Sequence, residues 1–291
     1  MELRRSMLFI PGNSPAMLQN GGVFGADSVI LDLEDAVAPN EKDAARLLVA
    51  HALNFVDYGT SETVVRINPL DTFGEKDIKA IVPCKPGALM IPKVQTAEDI
   101  KKVVEWVAAA ETPGQTPVKL VALLETPQGI HEAYSIAKAD PRVVALALGA
   151  EDYTAALGAQ RSKEGSEIFT VRSLIVNAAA AAGVQSIDTP FTDANDEDGL
   201  RQDTILAKQF GFKGKMSINP RQVDVIHSVY NPTTADIDWA EQVIAALRKA
   251  EAEGSGVASL NGKMVDAPIV SRAQHILFLA KLLGLRKETV E

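Results

Sequence analysis

Residues 143–152, VVALALGAED, and residues 28–35, SVILDLED, are the segments that best indicate the fold of this chain. Each contains a run of consecutive apolar residues and then becomes acidic, as in a parallel strand that is covered on both faces. A half-exposed antiparallel strand would instead alternate apolar and polar residues. Similar short runs recur along the chain and predict these strands: Ser6–Ile10, Ser28–Leu33, Thr63–Ile67, Ala88–Ile91, Lys119–Leu124, Val143–Leu148, Gln185–Asp188 and Lys215–Ile218.

The segments between these strands have helical spacing. Between Ile100 and Val107, apolar residues recur at i, i+3, i+4 and i+7, which places them on one face of a helix. Thr96 is the predicted N-cap of that helix, with Asp99 three residues further on. Asn40 precedes another helical stretch, and Asn219–Pro220 predicts an N-cap followed by proline in the first turn.

Eight strand–helix units predict an α/β fold, a (β/α)₈ TIM barrel, over residues 1–230. An open doubly wound sheet is the alternative, but no glycine-rich phosphate fingerprint follows the first strand. Residues 231–291 predict a C-terminal helical extension or lid that packs on its own barrel or on a neighbouring subunit.

The extension has three predicted parts. A helix runs from about Asp236 to Glu253 and is ended by Gly254. A turn follows at Asn261–Gly262, and a last helix starts at about Pro268.

The composition of the 291 residues excludes several classes of function. Lys and Arg total 29 against 38 Asp and Glu, and the net charge of −9 argues against a nucleic-acid-binding surface. A single cysteine, Cys84, excludes an internal disulfide framework and a multi-thiolate zinc site. No apolar run approaches the roughly 20 residues of a membrane span, and the N-terminal apolar run is too short for a signal peptide. We therefore expect a cytoplasmic protein without nucleic-acid or membrane partners.

Ionisable residues gather at the carboxyl ends of the predicted strands, where barrels of this type build their active sites. Strand ends also become polar for reasons unrelated to function, so the pattern alone does not decide the matter. The residues at this predicted rim are Asp32, Glu34, Asp35, Arg66, Lys93, Glu125, Glu151, Asp152 and Asp188.

Glu125 and Asp152 are the predicted metal ligands. Each follows an apolar strand, and two carboxylates that leave most positions to water and substrate form the kind of site that Mg²⁺ prefers. The alternative is that each caps a helix or pairs with a basic neighbour.

The other rim residues have two readings each. Asp32 and Glu34 lie two apart and point to the same side, either as groups that orient metal-bound water or as the polar end of a strand. Asp35 is expected to face away from the side to which Asp32 and Glu34 point. Arg66 either binds a substrate carboxylate or enolate oxygen, or forms a salt bridge with a rim carboxylate.

The remaining nucleophiles and bases form no familiar triad. All four histidines fall in predicted helices, and no nucleophile elbow is present in the sequence. Cys84 lies in a loop without visible support for a nucleophilic role. Lys93 is either a Schiff-base lysine or, more in keeping with Pro92 before it, a cation that attracts carboxylates or phosphates.

At these rim residues the sequence resembles the citrate lyase β-subunit family, within the HpcH/HpaI-type superfamily of Mg²⁺-dependent aldolases and acyl-CoA lyases. The resemblance covers about Arg4 to Arg286. Single motifs are weak, but their fixed order is specific. They are RRSMLFIPG (4–12), LDLEDAV (31–37), VRIN (65–68), IPKV (91–94), LLETPQGI (123–130), LGAEDY (148–153), INPRQ (218–222) and SLNGKMVDAP (259–268).

The resemblance implies a reaction and a set of site residues. The reaction is cleavage of citryl-CoA, or of a citryl thioester on an acyl carrier protein (ACP), to oxaloacetate and the acetyl thioester. The resemblance also aligns Glu125 and Asp152 with the family's Mg²⁺ ligands, and Arg66 and Glu125 with its substrate-binding residues. Asp266 matches an acid that relatives bring from the C-terminal segment, often of an adjacent subunit. It implies citrate lyase α and γ (carrier) subunits as partners and, with the appended tail, a homotrimer or higher oligomer.

Proton transfer and thioester anchoring remain hypotheses at this point. Asp266 either protonates the departing enolate or is only a helix N-cap before Pro268, while Asp32 or Glu34 helps to deprotonate the substrate hydroxyl.

The candidates for contact with the phosphates of the thioester carrier are Arg4, Arg5, Lys93 and Lys215, together with the backbone N–H groups of the helix that opens at Pro220. Two other functions stay open: a stand-alone malyl-CoA or β-methylmalyl-CoA lyase or thioesterase, and a non-catalytic scaffold.

Overall fold

A computed structural model describes residues 2–252 and 258–285. Eight parallel strands pair in chain order, and β8 pairs with β1, which closes the sheet into a barrel. The predicted (β/α)₈ fold is confirmed. The barrel strands are β1 Ser6–Pro11, β2 Ser28–Asp32, β3 Glu62–Arg66, β4 Ala88–Ile91, β5 Lys119–Leu124, β6 Val143–Leu148, β7 Gln185–Asp188 and β8 Gly214–Ser217.

Helices surround this barrel. They are α1 Pro15–Asn20, α2 Lys42–Phe55, α3 Gly74–Ile81, α4 Ala97–Ala110, α5 Pro127–His131, α6 Ala133–Ala137, α7 Ala150–Leu157, α8 Phe169–Ala182, α9 Glu197–Phe210 and α10 Gln222–Tyr230. The predicted cap of α4 is confirmed, since Thr96 and Asp99 form a reciprocal capping box. The prediction at Asn219–Pro220 is wrong by two residues. The Asn219 side chain closes a turn by accepting from the Arg221 N–H, and the helix begins only at Gln222.

Two apolar layers follow from the alternation of side chains along each strand. One set of residues fills the inside of the barrel, and Met7, Val121 and Met216 belong to it. The other set, which includes Leu8 and Val29, packs with the helices in a larger core between sheet and helices. Both faces of the strands are therefore buried, which explains the consecutive apolar residues in their sequences.

The described chain divides into two compact units, residues 1–229 and 230–291. The second unit contains α11 Thr234–Ala252, a hairpin of β9 Ala258–Leu260 and β10 Lys263–Val265, and α12 Ala267–Leu282. The predicted turn at Asn261–Gly262 joins the two hairpin strands, and both of its residues have positive φ. The predicted helix end at Gly254 lies outside the described residues.

Within the part of the chain that the structure describes, no helix combines the length and the apolar character that crossing a membrane requires.

Candidate active site

A cavity of about 460 Å³ opens at the carboxyl ends of the barrel strands. It has the location at which TIM barrels place their active sites. The charged residues that line it are Asp32, Asp35, Arg66, Glu125, Glu151 and Asp152.

The alternation of side chains in the strands directs the principal charged residues inward. A residue two positions after an inside residue also points to the inside of the barrel. The pairs related in this way are Ile30 and Asp32, Val64 and Arg66, and Leu123 and Glu125. An apolar barrel interior therefore ends in a charged layer at the mouth.

Arg66 is held in place by carboxylates. Its Nε and Nη2 donate to the two oxygens of Asp32, each at 2.7 Å. Its Nη1 makes longer contacts, 3.1 Å to Glu34 and 3.3 Å to Asp35, and the guanidinium lies 4.8 Å from the centre of the Phe9 ring. The salt bridge considered from the sequence is present. The expectation that Asp35 faces away is wrong, because this side chain turns toward the guanidinium.

Asp32 has no oxygen left without a hydrogen bond. Besides Arg66, its Oδ1 accepts from the Glu34 N–H at 2.9 Å and its Oδ2 from the Ala36 N–H at 3.1 Å. The pairing and these donors make Asp32 a fixed counter-ion for Arg66.

Glu34 is buried and only partly paired. Its Oε1 accepts from Lys93 Nζ at 3.0 Å. Its Oε2 lies 3.1 Å from Arg66 Nη1 without hydrogen-bond geometry, so this buried oxygen has no hydrogen-bond partner. Burial raises the pKa of Glu34, Asp35 adds to the rise, and Arg66 and Lys93 oppose it.

Lys93 contacts three of the site's carboxylates. Its backbone N–H donates to Glu125 Oε1 at 2.7 Å, and its Nζ lies 3.8 Å from Asp152 Oδ2 as well as bonding Glu34. The Lys93 backbone has φ +53°, which is unusual for a residue other than glycine. Burial lowers the pKa of Lys93, but the three acids outweigh burial and raise it. The structure supports a strand-end cation that attracts carboxylates.

Glu125 is 4% exposed and lies directly against the backbone of Gly149. A Cβ at position 149 would lie 2.6 Å from both Cβ and Oε2 of Glu125. Burial, with the negative charges of Glu34 and Asp152, raises the pKa of Glu125 to about 8, against the opposing Lys93 N–H and Arg66. A buried carboxyl with neighbouring negative charge is a good position for an added cation.

The residues present fit a divalent metal ion. Glu125 and Asp152 line the same cavity, the acids outnumber Arg66 and Lys93, and a buried oxygen of Glu34 has no hydrogen-bond partner. Hard oxygens of this kind suit Mg²⁺, which keeps several waters. Among the described residues, no group of three or more His, Cys, Asp or Glu forms a complete cage. A metal here would therefore depend on water and substrate for its remaining ligands.

The structure shows the actual partners of four residues that the sequence analysis considered for phosphate contact or for the charged rim. Arg4 pairs with Glu62, and Arg5 pairs with Asp27. Lys215 is fully buried and bonds Asp188. Arg4 and Arg5 already have carboxylate partners, and phosphate contact at these two residues stays a prediction. Because Lys215 is inaccessible, the phosphate contact considered for it is wrong. Asp188 belongs to the same buried ion pairs instead of the charged rim.

Asp266 belongs to the C-terminal unit, where it is the N-cap of α12. Its Oδ1 accepts from the Ile269 N–H at 3.2 Å. The helix-capping role considered from the sequence is therefore present. The predicted role of Asp266 in proton transfer remains a prediction.

Three contributors to the site were missed in the sequence. Phe9 could have been found from the alternation in β1, since it lies two residues after the inside residue Met7. Gly149, between an apolar strand and an acidic turn, is a signal of close backbone approach. Thr189, which also lines the cavity, has no recognisable signal in the sequence.

The chain resembles known proteins over nearly its whole length. The model of the family described as HpcH/HpaI aldolase/citrate lyase matches residues 5–220. The citrate lyase subunit beta of Leuconostoc mesenteroides subsp. cremoris is 48% identical over 282 residues, 96% of this chain and 93% of that protein. A (3S)-malyl-CoA thioesterase of Cereibacter sphaeroides is 36% identical, over 96% of this chain and 95% of that protein.

A solved structure extends the resemblance to three dimensions. The crystal structure of the protein CitE from Mycobacterium tuberculosis in complex with magnesium, acetoacetate and coenzyme A has a TM-score of 0.79 and 32% identity. The match covers 96% of this chain and 98% of that one.

Proposed function

Since the chain belongs to the HpcH/HpaI aldolase/citrate lyase family, we propose that it is a Mg²⁺-dependent carbon–carbon lyase. Its substrate is a citryl thioester, carried on CoA or on an acyl carrier protein, and its products are oxaloacetate and the acetyl thioester. The observation that carries the proposal is the placement of Glu125, Asp152 and a carboxylate-held Arg66 around one cavity.

Glu125 and Asp152 would hold the metal ion. Bound there, Mg²⁺ supplies Lewis-acid chemistry, which polarises the substrate's hydroxyl and carboxylate oxygens and lowers the pKa of the hydroxyl. The Lys93 N–H orients Glu125 by its bond to Oε1. The CitE structure in complex with magnesium supports this choice of ion.

The reaction is a retro-Claisen cleavage. The tertiary hydroxyl loses its proton, the bond between the carbinol carbon and the thioester's α-carbon breaks, and a ketone forms. The electron pair leaves on the thioester enolate, which then takes a proton at carbon. Two residue roles follow, one that stabilises the enolate oxygen and one that moves the protons.

Arg66 is suited to the enolate oxygen. Its Nε and Nη2 are occupied by Asp32, whereas Nη1 makes only longer contacts and faces Asp35, which is exposed to solvent. Nη1 is therefore the donor that can turn to a substrate oxyanion without loss of the Asp32 pair. A fixed donor of this kind lowers the barrier by about 3–4 kcal/mol.

Glu34 is better suited than Asp32 to accept the hydroxyl proton. All of the oxygens of Asp32 are already hydrogen-bonded, which leaves it the role of positioning Arg66. Glu34 has a raised pKa and a buried oxygen without a hydrogen-bond partner. We assign the second transfer, to the enolate carbon, to Asp266, as the sequence suggests.

The partners follow from the same proposal. The Leuconostoc relative is named as a subunit, which supports a multi-subunit enzyme for this chain too. We infer that α and γ subunits accompany it, that the γ subunit carries the thioester, and that the chain forms a homotrimer or higher oligomer.

The substrate is tested by an assay of the purified chain with Mg²⁺. We expect oxaloacetate from citryl-CoA, with turnover abolished by EDTA and restored by added Mg²⁺. Glu125→Gln removes a metal ligand and lowers turnover by about 10³-fold or more, which is a loss of about 4 kcal/mol in transition-state stabilisation. Lys101→Gln, an exposed change on α4, serves as the control and keeps full activity.

A second substrate separates the proposal from its alternatives. Glyoxylate from (3S)-malyl-CoA, with no oxaloacetate from citryl-CoA, would assign the chain to the malyl-CoA lyases. Free malate and CoA from malyl-CoA would assign it to the thioesterases, to which the Cereibacter relative belongs. No product from any of these thioesters, together with no Mg²⁺ binding, would favour a scaffold.

A further inference from the structure

Helix α7 carries the predicted metal ligand Asp152 but begins without a cap of its own. Its N-cap residue is Gly149, which has no side chain to accept from the first N–H groups. The Ser, Thr, Asp or Asn that usually occupies this position is excluded, because any Cβ at residue 149 would collide with Glu125. Because Glu125 packs so closely against residue 149, the helix that carries Asp152 cannot have an N-cap side chain at that position.

Thr189, from the segment after β7, replaces that cap. Its Oγ1 accepts from the Ala150 N–H, the first of the helix, at 3.3 Å. Thr189 is 1% exposed, and it lines the same cavity as Glu125 and Asp152. A hydroxyl from a neighbouring segment therefore holds the first turn of α7.

A buried group of ion pairs fixes Thr189 in turn. Lys215 Nζ donates to the Thr189 carbonyl at 2.7 Å, to Asp188 at 2.7 Å and to Asp203 at 2.5 Å. Arg172 completes the group, since it bonds both Asp188 and Asp203. We refer to Arg172, Asp188, Asp203 and Lys215 as the ion quartet.

We infer that Thr189 is a positioning residue for the metal site: it sets the first turn of α7 so that Asp152 faces the cavity beside Glu125. This inference rests on the proposed function, because it gives Asp152 the role of a metal ligand. In this role Thr189 acts through the backbone of Ala150 and not as a metal ligand. Asp152 is only two residues from the bonded N–H, so a small shift of this turn displaces its carboxylate.

The test measures Mg²⁺ affinity by calorimetric titration of the whole chain, with the melting temperature recorded in parallel. Thr189→Val keeps the shape of the side chain but removes the hydroxyl, and we expect Mg²⁺ to bind about tenfold more weakly, the range for groups that orient metal ligands. Thr189→Ser retains the hydroxyl and should bind Mg²⁺ like the wild type. Thr189→Ala takes the place of the valine variant if that protein does not fold.

Thr204→Val is the matched control. Thr204 is also a fully buried threonine, and its hydroxyl donates to the Leu200 carbonyl within α9. Its removal should lower the melting temperature without changing the affinity for Mg²⁺. A merely structural role for Thr189 would give the same result.

The outcomes are distinct. If the wild type binds Mg²⁺ and Thr189→Val binds it equally well at a lower melting temperature, Thr189 is only a helix cap and the inference is overturned. Weakened binding in Thr189→Ser as much as in Thr189→Val would also overturn it, because the hydroxyl would not be the cause. If the wild type itself binds no Mg²⁺, the proposed function fails together with the inference.

Discussion

At the scale of single residues, the site depends on how closely Glu125 approaches the backbone. Gly149 is required there for space, since its own φ is negative and any residue could adopt it. The close contact buries the Glu125 carboxyl, and this burial is the largest cause of its raised pKa. One glycine thus determines both the position and the electrostatics of a predicted metal ligand.

Gly149→Ala tests this requirement. The new methyl group would lie 2.6 Å from Glu125, so the carboxylate or the start of α7 must move, at a cost of about 1–3 kcal/mol. We expect Mg²⁺ affinity and turnover to fall together. Gly158→Ala is the control, because its Cβ meets nothing within 4 Å and only the backbone at φ +68° is strained, at roughly 1–2 kcal/mol. Equal turnover in the two variants would contradict the argument.

At the scale of secondary-structure elements, the ion quartet ties β7 and β8 to α8 and α9. Asp188 and Lys215 come from adjacent strands, and Arg172 and Asp203 come from the two helices that cover them. Each charge has at least two partners of opposite sign, which is the condition under which buried charges are tolerated. The quartet also explains why polar residues occur in strands that are otherwise apolar.

Asp203→Asn should destabilise the barrel in a pH-dependent way. Burial raises the pKa of Asp203, but Lys215 and Arg172 outweigh it and hold the pKa below 3.8. The ionised carboxylate therefore stabilises the fold above about pH 3.8, the unfolded value, and this contribution is lost as the pH falls through the lower folded value. At pH 7 we expect the variant to lose about 3–5 kcal/mol of unfolding free energy, because two buried cations lose a partner.

The measurement is urea unfolding at pH 7 and at steps down to pH 2. Between pH 4 and pH 2 the difference between wild type and variant should shrink. Asp198→Asn, an exposed change on the same helix, should differ little from wild type at every pH. A difference that stays constant down to pH 2 would show that the charge of Asp203 is not the cause.

At the scale of the whole molecule, the chain has two compact units, and the predicted acid Asp266 lies in the second. The sequence predicts that this unit packs on its own barrel or supplies Asp266 to a neighbouring subunit. The two arrangements differ in whether one active site needs residues of two chains. Such sharing requires a closed oligomer in which each subunit serves the next.

Complementation distinguishes the two arrangements. Glu125→Gln and Asp266→Asn should each abolish turnover, and Asn retains the N-cap of α12, so the second variant should fold normally. If subunits share Asp266, co-expression of the two variants restores about a quarter of wild-type turnover, since random cyclic assembly pairs an intact Glu125 with a neighbour's intact Asp266 in that proportion. No recovery would place Asp266 in its own subunit's site, and full activity of Asp266→Asn would remove it from the mechanism.

Local sequence patterns are sufficient to predict the barrel and the identity of the charged residues at its mouth. All eight strands lie at, or within one residue of, their predicted bounds at both ends, because apolar runs buried on both faces are a local signal. Asp32, Arg66 and Glu125 follow from the same signal, since each ends or directly follows such a run.

The pairing of these charges depends on the folded barrel and could not be predicted from the sequence. The Asp32–Arg66 pair, the Glu125–Gly149 contact and the Thr189 cap each join residues that lie at, or just after, the ends of different strands, 34, 24 and 39 positions apart in the chain. No local pattern records such contacts, because barrel closure brings the strand ends together. Lys215 and Asp188 resembled site residues in the sequence, but they form a buried ion pair because barrel closure places their strands side by side.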